Sequence, residues 1–143
     1  MICYKILDQN LCSIVGCGIP QYTVQYKFGE YVKPILKNSH LMVYTGLEGC
    51  KSFLNWNNHQ FYARSIRPRL LVVDALNVSE TGFFLHSLGV WNKRVTAYDL
   101  DKVINLLSSK DNNPNIFNGT SGQKQAAFCT DVKLIGEINI DYI

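Results

Sequence analysis

The sequence is poor in charge. Asp, Glu, Lys and Arg make up 17% of its 143 residues, well below the usual quarter. That excludes a solvating or disordered chain. The formal net charge of +3 is too small to point to nucleic acid by itself. Long apolar runs are missing too. None approaches the roughly 18 residues that a bilayer span requires, so no membrane contact is expected. The opening MICYKILDQN has no basic region, apolar stretch or small-residue cleavage site, and no secretory signal is read from it.

Signatures of metal and cofactor chemistry are also lacking. Cys3, Cys12, Cys17, Cys50 and Cys129 are scattered, odd in number and never spaced C-x-x-C. They read as reduced thiols of a cytoplasmic protein, used mainly as small apolar groups. His40, His59 and His86 never fall at H-x-x-x-H spacing, whereas zinc needs four convergent ligands; no metal is expected. There is no G-x-S-x-G, P-loop or G-x-G-x-x-G, so no cofactor is expected. The loop from Gly119 to Gly122 has no strand before it and no helix after it, as phosphate binding would require. Cys50 stands at an expected strand–helix junction, where a nucleophile could be activated, but it reads better as a core residue. No catalytic residue is assigned.

What the chain does have is apolar residues, 47% of the total, enough for the core of one domain spanning residues 1–143. Its centre is expected between Tyr22 and Leu54. Tyr22, Val24, Tyr26 and Phe28 alternate with polar residues, the period of a half-buried strand. Gly29 permits a sharp turn. Tyr31 and Val32 resume extended structure, and Pro34 makes this arm an edge strand or a loop. Leu41 to Tyr44 reads as a buried strand, leading through Thr45 and Gly46 into a short helix marked by Leu47, Cys50 and Phe53 or Leu54.

Before this unit, Ile2–Leu7 and Leu11–Val15 suggest a hairpin about Asp8 to Asn10. After it, Asn55–Gln60 reads as a polar turn and Phe61–Ile66 as a strand. Leu70–Val73, the most hydrophobic tetrad, is expected to be a central strand. The stretch from Asn77 through Leu88 fits a short helix or a hairpin. Leu100, Val103, Ile104 and Leu107 mark a helix over Asp99–Ser109. Residues 111–125 are polar and rich in Asn and Gly, a mobile surface loop. Cys129–Ile140 closes the chain as one or two strands bent at Gly136. Strands outnumber helices and do not alternate with them, which predicts an α+β fold: a mixed, mostly antiparallel sheet with two or three short helices.

The best binding candidate is the group Arg64, Arg67 and Arg69 about Pro68, which could clamp a phosphate or carboxylate. A solvated edge paired with acids is the plainer reading. Tyrosines near these arginines would suit single-stranded nucleic acid.

The run from Tyr26 through Gly29, Glu30 and Tyr31 to Pro34, followed by Leu41–Tyr44 and by Leu47, Glu48, Cys50 and Phe53, resembles a pattern of small proteins from phages and large DNA viruses. There a Y-K-x-G-E-aromatic-x-x-P segment precedes an apolar strand and an L-E-x-A-x-x-F helix; Cys50 stands where a small residue is usual. The resemblance covers about half of the chain and brings no activity with it. It implies a non-enzymatic accessory protein in the host cytoplasm or the virion, acting by surface contacts with a host or virion protein. More distantly, Val43 through Glu48 is similar to the strand–turn–helix of ADP-ribosyltransferase-like folds. That similarity implies a nucleotide site of Tyr44, Thr45, Arg64 and Glu137. Lys5 then stands where such folds place an Arg or His, and Glu137 lacks their flanking acidic pattern.

Overall fold

The structure, a computed structural model, describes residues 1–14, 23–35, 40–82 and 123–143. Six strands form one sheet: β1 (Ile2–Leu7), β2 (Tyr31–Val32), β3 (Leu41–Tyr44), β4 (Arg69–Leu76), β5 (Ala126–Cys129) and β6 (Asp131–Ile138). Their order across it is β2-β6-β4-β1-β3-β5, and each named pair is antiparallel. Helix α1 (Leu47–Ala63) and a closing 3-10 turn, Ile140–Tyr142, complete the described elements. The fold is α+β.

Strand alternation sorts the core into two layers. Ile6, Tyr44 and Leu70 face α1 and meet its Cys50, Phe53 and Phe61, with Ile14 alongside. Their neighbours Cys3, Leu7, Leu41, Val43, Leu71, Val73 and Ala75 face the other way. Val24 and Tyr26 cover that second face.

The centre of the sheet is the β1–β4 pair, whose register runs unbroken from Ile2↔Asp74 to Leu7↔Arg69. The stretch from Tyr22 onward is therefore not the organising element. Residues 23–28 form no strand; their β-bridges are the isolated pairs Cys12↔Gln25 and Phe28↔Leu134. Alternating aromatics that could line a strand here serve as a cover: Val24 and Tyr26 are buried, and Phe28 is half exposed. The expected first hairpin is a hook. The Asp8 carboxylate accepts from the Asn10 and Cys12 N–H groups at 2.8 and 2.9 Å, and among the described residues Leu7↔Ser13 is the one bridge across it.

Other expectations hold. β2 is an edge strand and β4 is central, and the closing segment expected over Cys129–Ile140 is one strand, β6, entered from the last residue of β5. The register passes from Val72↔Gly136 to Val73↔Leu134, so Ile135 is an extra residue bulged out beside Gly136.

The helix is where the reading of local sequence fails. The expected turn at Asn55–Gln60 and strand at Phe61–Ile66 are replaced by continued helix to Ala63. Cys50, Phe53 and Phe61 share one face, and their burial outweighs the weak helix propensity of Asn55, Asn57 and Asn58. The helix ends in a Schellman-type cap. Ser65 N–H donates to the Tyr62 carbonyl and Ile66 N–H to the Phe61 carbonyl, with Ser65 at φ 54°. Ile66 also packs on the cluster that contains Phe61. The helix expected over Asp99–Ser109, and all of the expected loop except Gln123–Gln125, lie outside the described residues.

Candidate functional site

The arginine group sits where α1 gives way to β4. Arg64 caps the helix, Arg67 lies in the link, and Arg69 opens β4. Arg69 grips Glu137 with two bonds, Nε to Oε2 at 3.0 Å and Nη2 to Oε1 at 2.6 Å. It also donates to the Gln9 carbonyl at 3.3 Å. This fork holds the Glu137 carboxyl below its ordinary pKa and raises that of Arg69. The Arg67 backbone N–H donates to Gln9 Oε1 at 3.0 Å. Arg69 is thus engaged within the fold, while Arg64 and Arg67 are exposed.

Tyr44 and Thr45 sit elsewhere. Tyr44, on β3, is buried against Phe53, ring centroids 5.8 Å apart. Its hydroxyl donates to Gln123 Oε1 at 2.5 Å, and burial pushes its pKa far above the ordinary range. Glu137 lies on β6, three strand spacings away in the sheet order, or about 14 Å at the usual interstrand distance. Tyr44 faces α1, whereas Glu137 is in register with Leu71 of the other face. The set Tyr44, Thr45, Arg64 and Glu137 is therefore not brought together in one cleft.

The turn at Gln123–Gln125 instead serves the start of α1. The helix begins at Gly46 with no side-chain cap of its own. Gln125 Oε1 accepts from Gly49 N–H at 2.8 Å, the bond that a capping side chain would ordinarily make. The Gln125 carbonyl accepts from Thr45 N–H at 2.8 Å and from the Thr45 hydroxyl at 3.2 Å. The approach is close: a Cβ on Gly49 would stand 2.3 Å from the Lys124 carbonyl oxygen.

The buried thiols are packing groups. Cys3, Cys50 and Cys129 are buried, and burial pushes the Cys50 and Cys129 thiols up to about 12, far from the thiolate a nucleophile needs. No three His, Cys, Asp or Glu side chains cluster in metal-binding fashion among the described residues. No helix among them is long and apolar enough to cross a membrane.

Two features escaped the sequence reading. One is the burial of Lys5 in the layer away from the helix. The other is the outer face of α1. Trp56 and Tyr62 are 89% and 88% exposed, and His59 between them is exposed as well. At i, i+3 and i+6 these side chains form one slanting ridge. It is centred on the side of the helix opposite Cys50, Phe53 and Phe61. The spacing was present in the sequence, but it carries meaning only once the helix continues past Leu54. No family model, curated protein or solved structure matches the chain.

Proposed function

We propose that the chain is a binding module that acts by surface contact with another protein, and that the outer face of α1 makes the contact. The observation that carries this reading is the ridge of Trp56, His59 and Tyr62. Two large aromatics stand almost fully in water on a helix whose opposite face is anchored in the core. Trp and Tyr dominate the energetics of protein interfaces because they bury much area with few rotatable bonds. A helix fixed along one side presents them without a large ordering cost. The resemblance to small phage and DNA-virus proteins directs the search for this partner to host and virion proteins.

The test compares the chain with the Trp56→Ala, Tyr62→Ala double variant, using immobilised protein and lysates of infected and uninfected cells. A stoichiometric partner is expected on the first, with affinity for the second lower by at least roughly 30-fold, about 2 kcal/mol for a lost aromatic anchor. Circular dichroism should match between the two proteins. Equal capture by both would overturn the assignment of the surface.

A second reading draws on the same ridge. Tyr62 lies two residues from exposed Arg64, with exposed Arg67 following. Aromatics beside cations suit stacking on single-stranded nucleic acid. Trp56 fluorescence would report such binding. An oligonucleotide should quench it at about 50 mM salt and less at higher salt, and Arg67→Ala should weaken the effect. Unchanged fluorescence at low salt removes this reading.

A further inference from the structure

β1 carries a cation into the core. Lys5 shares a face with Cys3 and Leu7 and is 8% exposed. Its Nζ donates to the Met42 carbonyl at 2.5 Å and stands 5.1 Å from the centre of the Tyr26 ring. An ammonium has three N–H donors and gains from a carboxylate when it is buried. Among the described residues its surroundings are neutral. β4 offers Leu71, the register partner of Lys5. β3 offers Val43 and the Met42 carbonyl, β5 the Cys129 thiol, β1 itself the Cys3 thiol, and the covering segment the Tyr26 phenol. Among the described residues the other buried charge is Asp131, which is paired with Lys33 at 2.8 Å. The Tyr26 hydroxyl is itself buried without a hydrogen-bond partner. Residues 23–28 thus lie over an amine that is poorly compensated when charged, and their own polar end is unsatisfied.

We propose that residues 23–28 are a proton-sensitive cover, which closes more firmly over the neutral Lys5 amine than over its ammonium. Tyr26 excludes water from the amine, and that exclusion disfavours the charged form. Burial pulls the Lys5 pKa down to about 8 from the ordinary 10.5. The Cys129 thiol and the Tyr26 phenol are pushed the other way, so they stay neutral while Lys5 titrates. Lifting the cover returns the amine to water and to its ordinary pKa. Below about pH 8 both forms hold the proton, and the opening equilibrium is flat. Between about 8 and 10.5 only the open form holds it, so each unit of rising pH favours closure by about tenfold.

The experiment has two parts, both on the full chain. In lysine-labelled protein, NMR titration should give Lys5 a midpoint near 8, separate from the other lysines; a midpoint among them overturns the proposal. The same titration on Tyr26→Ala should move the Lys5 midpoint up by at least one unit, and no movement overturns the role of the cover. In the second part, Lys27, exposed within the cover, is cut by a lysine-specific protease, with each rate divided by that of an unstructured peptide of the same sequence. The normalised rate should level off below about pH 7 and fall about tenfold between pH 7 and pH 9, whereas Lys5→Met should show no fall. A flat profile in the unaltered chain, or an equal fall in Lys5→Met, refutes the cover. If Lys5→Met does not fold, Tyr26→Ala replaces it, with a shallower fall expected and an equal fall refuting.

Discussion

On one face of the sheet, a 17-residue helix lays Cys50, Phe53 and Phe61 against Ile6, Tyr44 and Leu70. On the other, an irregular segment lays Val24 and Tyr26 against Leu7, Leu71 and Val43. The helix satisfies its backbone internally, so its buried face can be wholly apolar. The segment satisfies its backbone bond by bond, from Tyr26 N–H to the Leu11 carbonyl, from Ser13 N–H to the Val24 carbonyl and from Val24 N–H to the Ser13 hydroxyl. It also closes over a lysine. The same strand alternation thus feeds a tight layer and a conditional one.

The largest expected effect breaks the tight layer. Phe53 links Tyr44 and Phe61, with both centroid distances 5.8 Å. Phe53→Ala should lower the stability by about 3–5 kcal/mol, as aromatic-to-alanine changes in cores do. Val24→Ala in the other layer removes two methyl groups and should cost about 1–2 kcal/mol. Urea unfolding of both variants measures the difference. If Val24→Ala proves the costlier, the two layers have been ranked in the wrong order.

Gly49→Ala comes next. Alanine is the better helix former by about 1 kcal/mol. Here its Cβ would meet the Lys124 carbonyl oxygen at 2.3 Å and Tyr44 at 3.0 Å. The collision should reverse the sign and leave a net loss of about 1–3 kcal/mol. An unfolding midpoint equal to or above that of the parent would mean that the turn at Gln123–Gln125 yields easily.

A third test uses pH. The Asp131 carboxyl is held below its ordinary range by Lys33 and by the Thr130 hydroxyl at 2.7 Å, as is that of Glu137 by Arg69. Carboxylates with depressed folded-state pKa values stabilise the fold above their unfolded values near 4, and that contribution is lost as the pH falls through the lower folded values. The amine of Lys5, also depressed, acts in the alkaline range, where stability should rise from about pH 8 toward 10.5. Asp131→Asn should weaken only the acid arm of the profile, leaving the share of Glu137, and Lys5→Met should remove only the alkaline arm. Loss of both arms in either variant would contradict their independence.

How much of this was legible follows from where each partner lies. β3 and β4 were readable because they are buried on both faces, and such strands appear as continuous apolar runs. Pro34 kept β2 out of the middle of the sheet, leaving an edge strand or a loop, and the edge strand is what forms. The helix was misread because its signals are not local. Its N-terminal cap comes from Gln125, 76 residues away, and its solvent face contains asparagines that mark turns elsewhere. The arginine group was visible as a cluster, but Glu137, which engages Arg69, is 68 residues distant. Nothing in the pattern of β1 distinguishes a buried Lys5 from an exposed one, since lysine at an alternating position normally faces solvent.

The smallest effect concerns the residue that hid the end of the helix. Helices commonly stop at a glycine in the left-handed region, and Ser65 occupies that place at φ 54°. A side chain there strains the backbone by roughly 1 kcal/mol. Glycine removes the strain but gives the unfolded chain more freedom to lose, which offsets part of the gain. Ser65→Gly should therefore raise the stability by about 0.5 kcal/mol, seen as a small increase in the urea midpoint with unchanged slope. The cap bonds are made by backbone groups of residues 65 and 66, so the substitution leaves them in place. A decrease instead would mean that the serine side chain contributes more to the closure of the helix than its backbone strain costs.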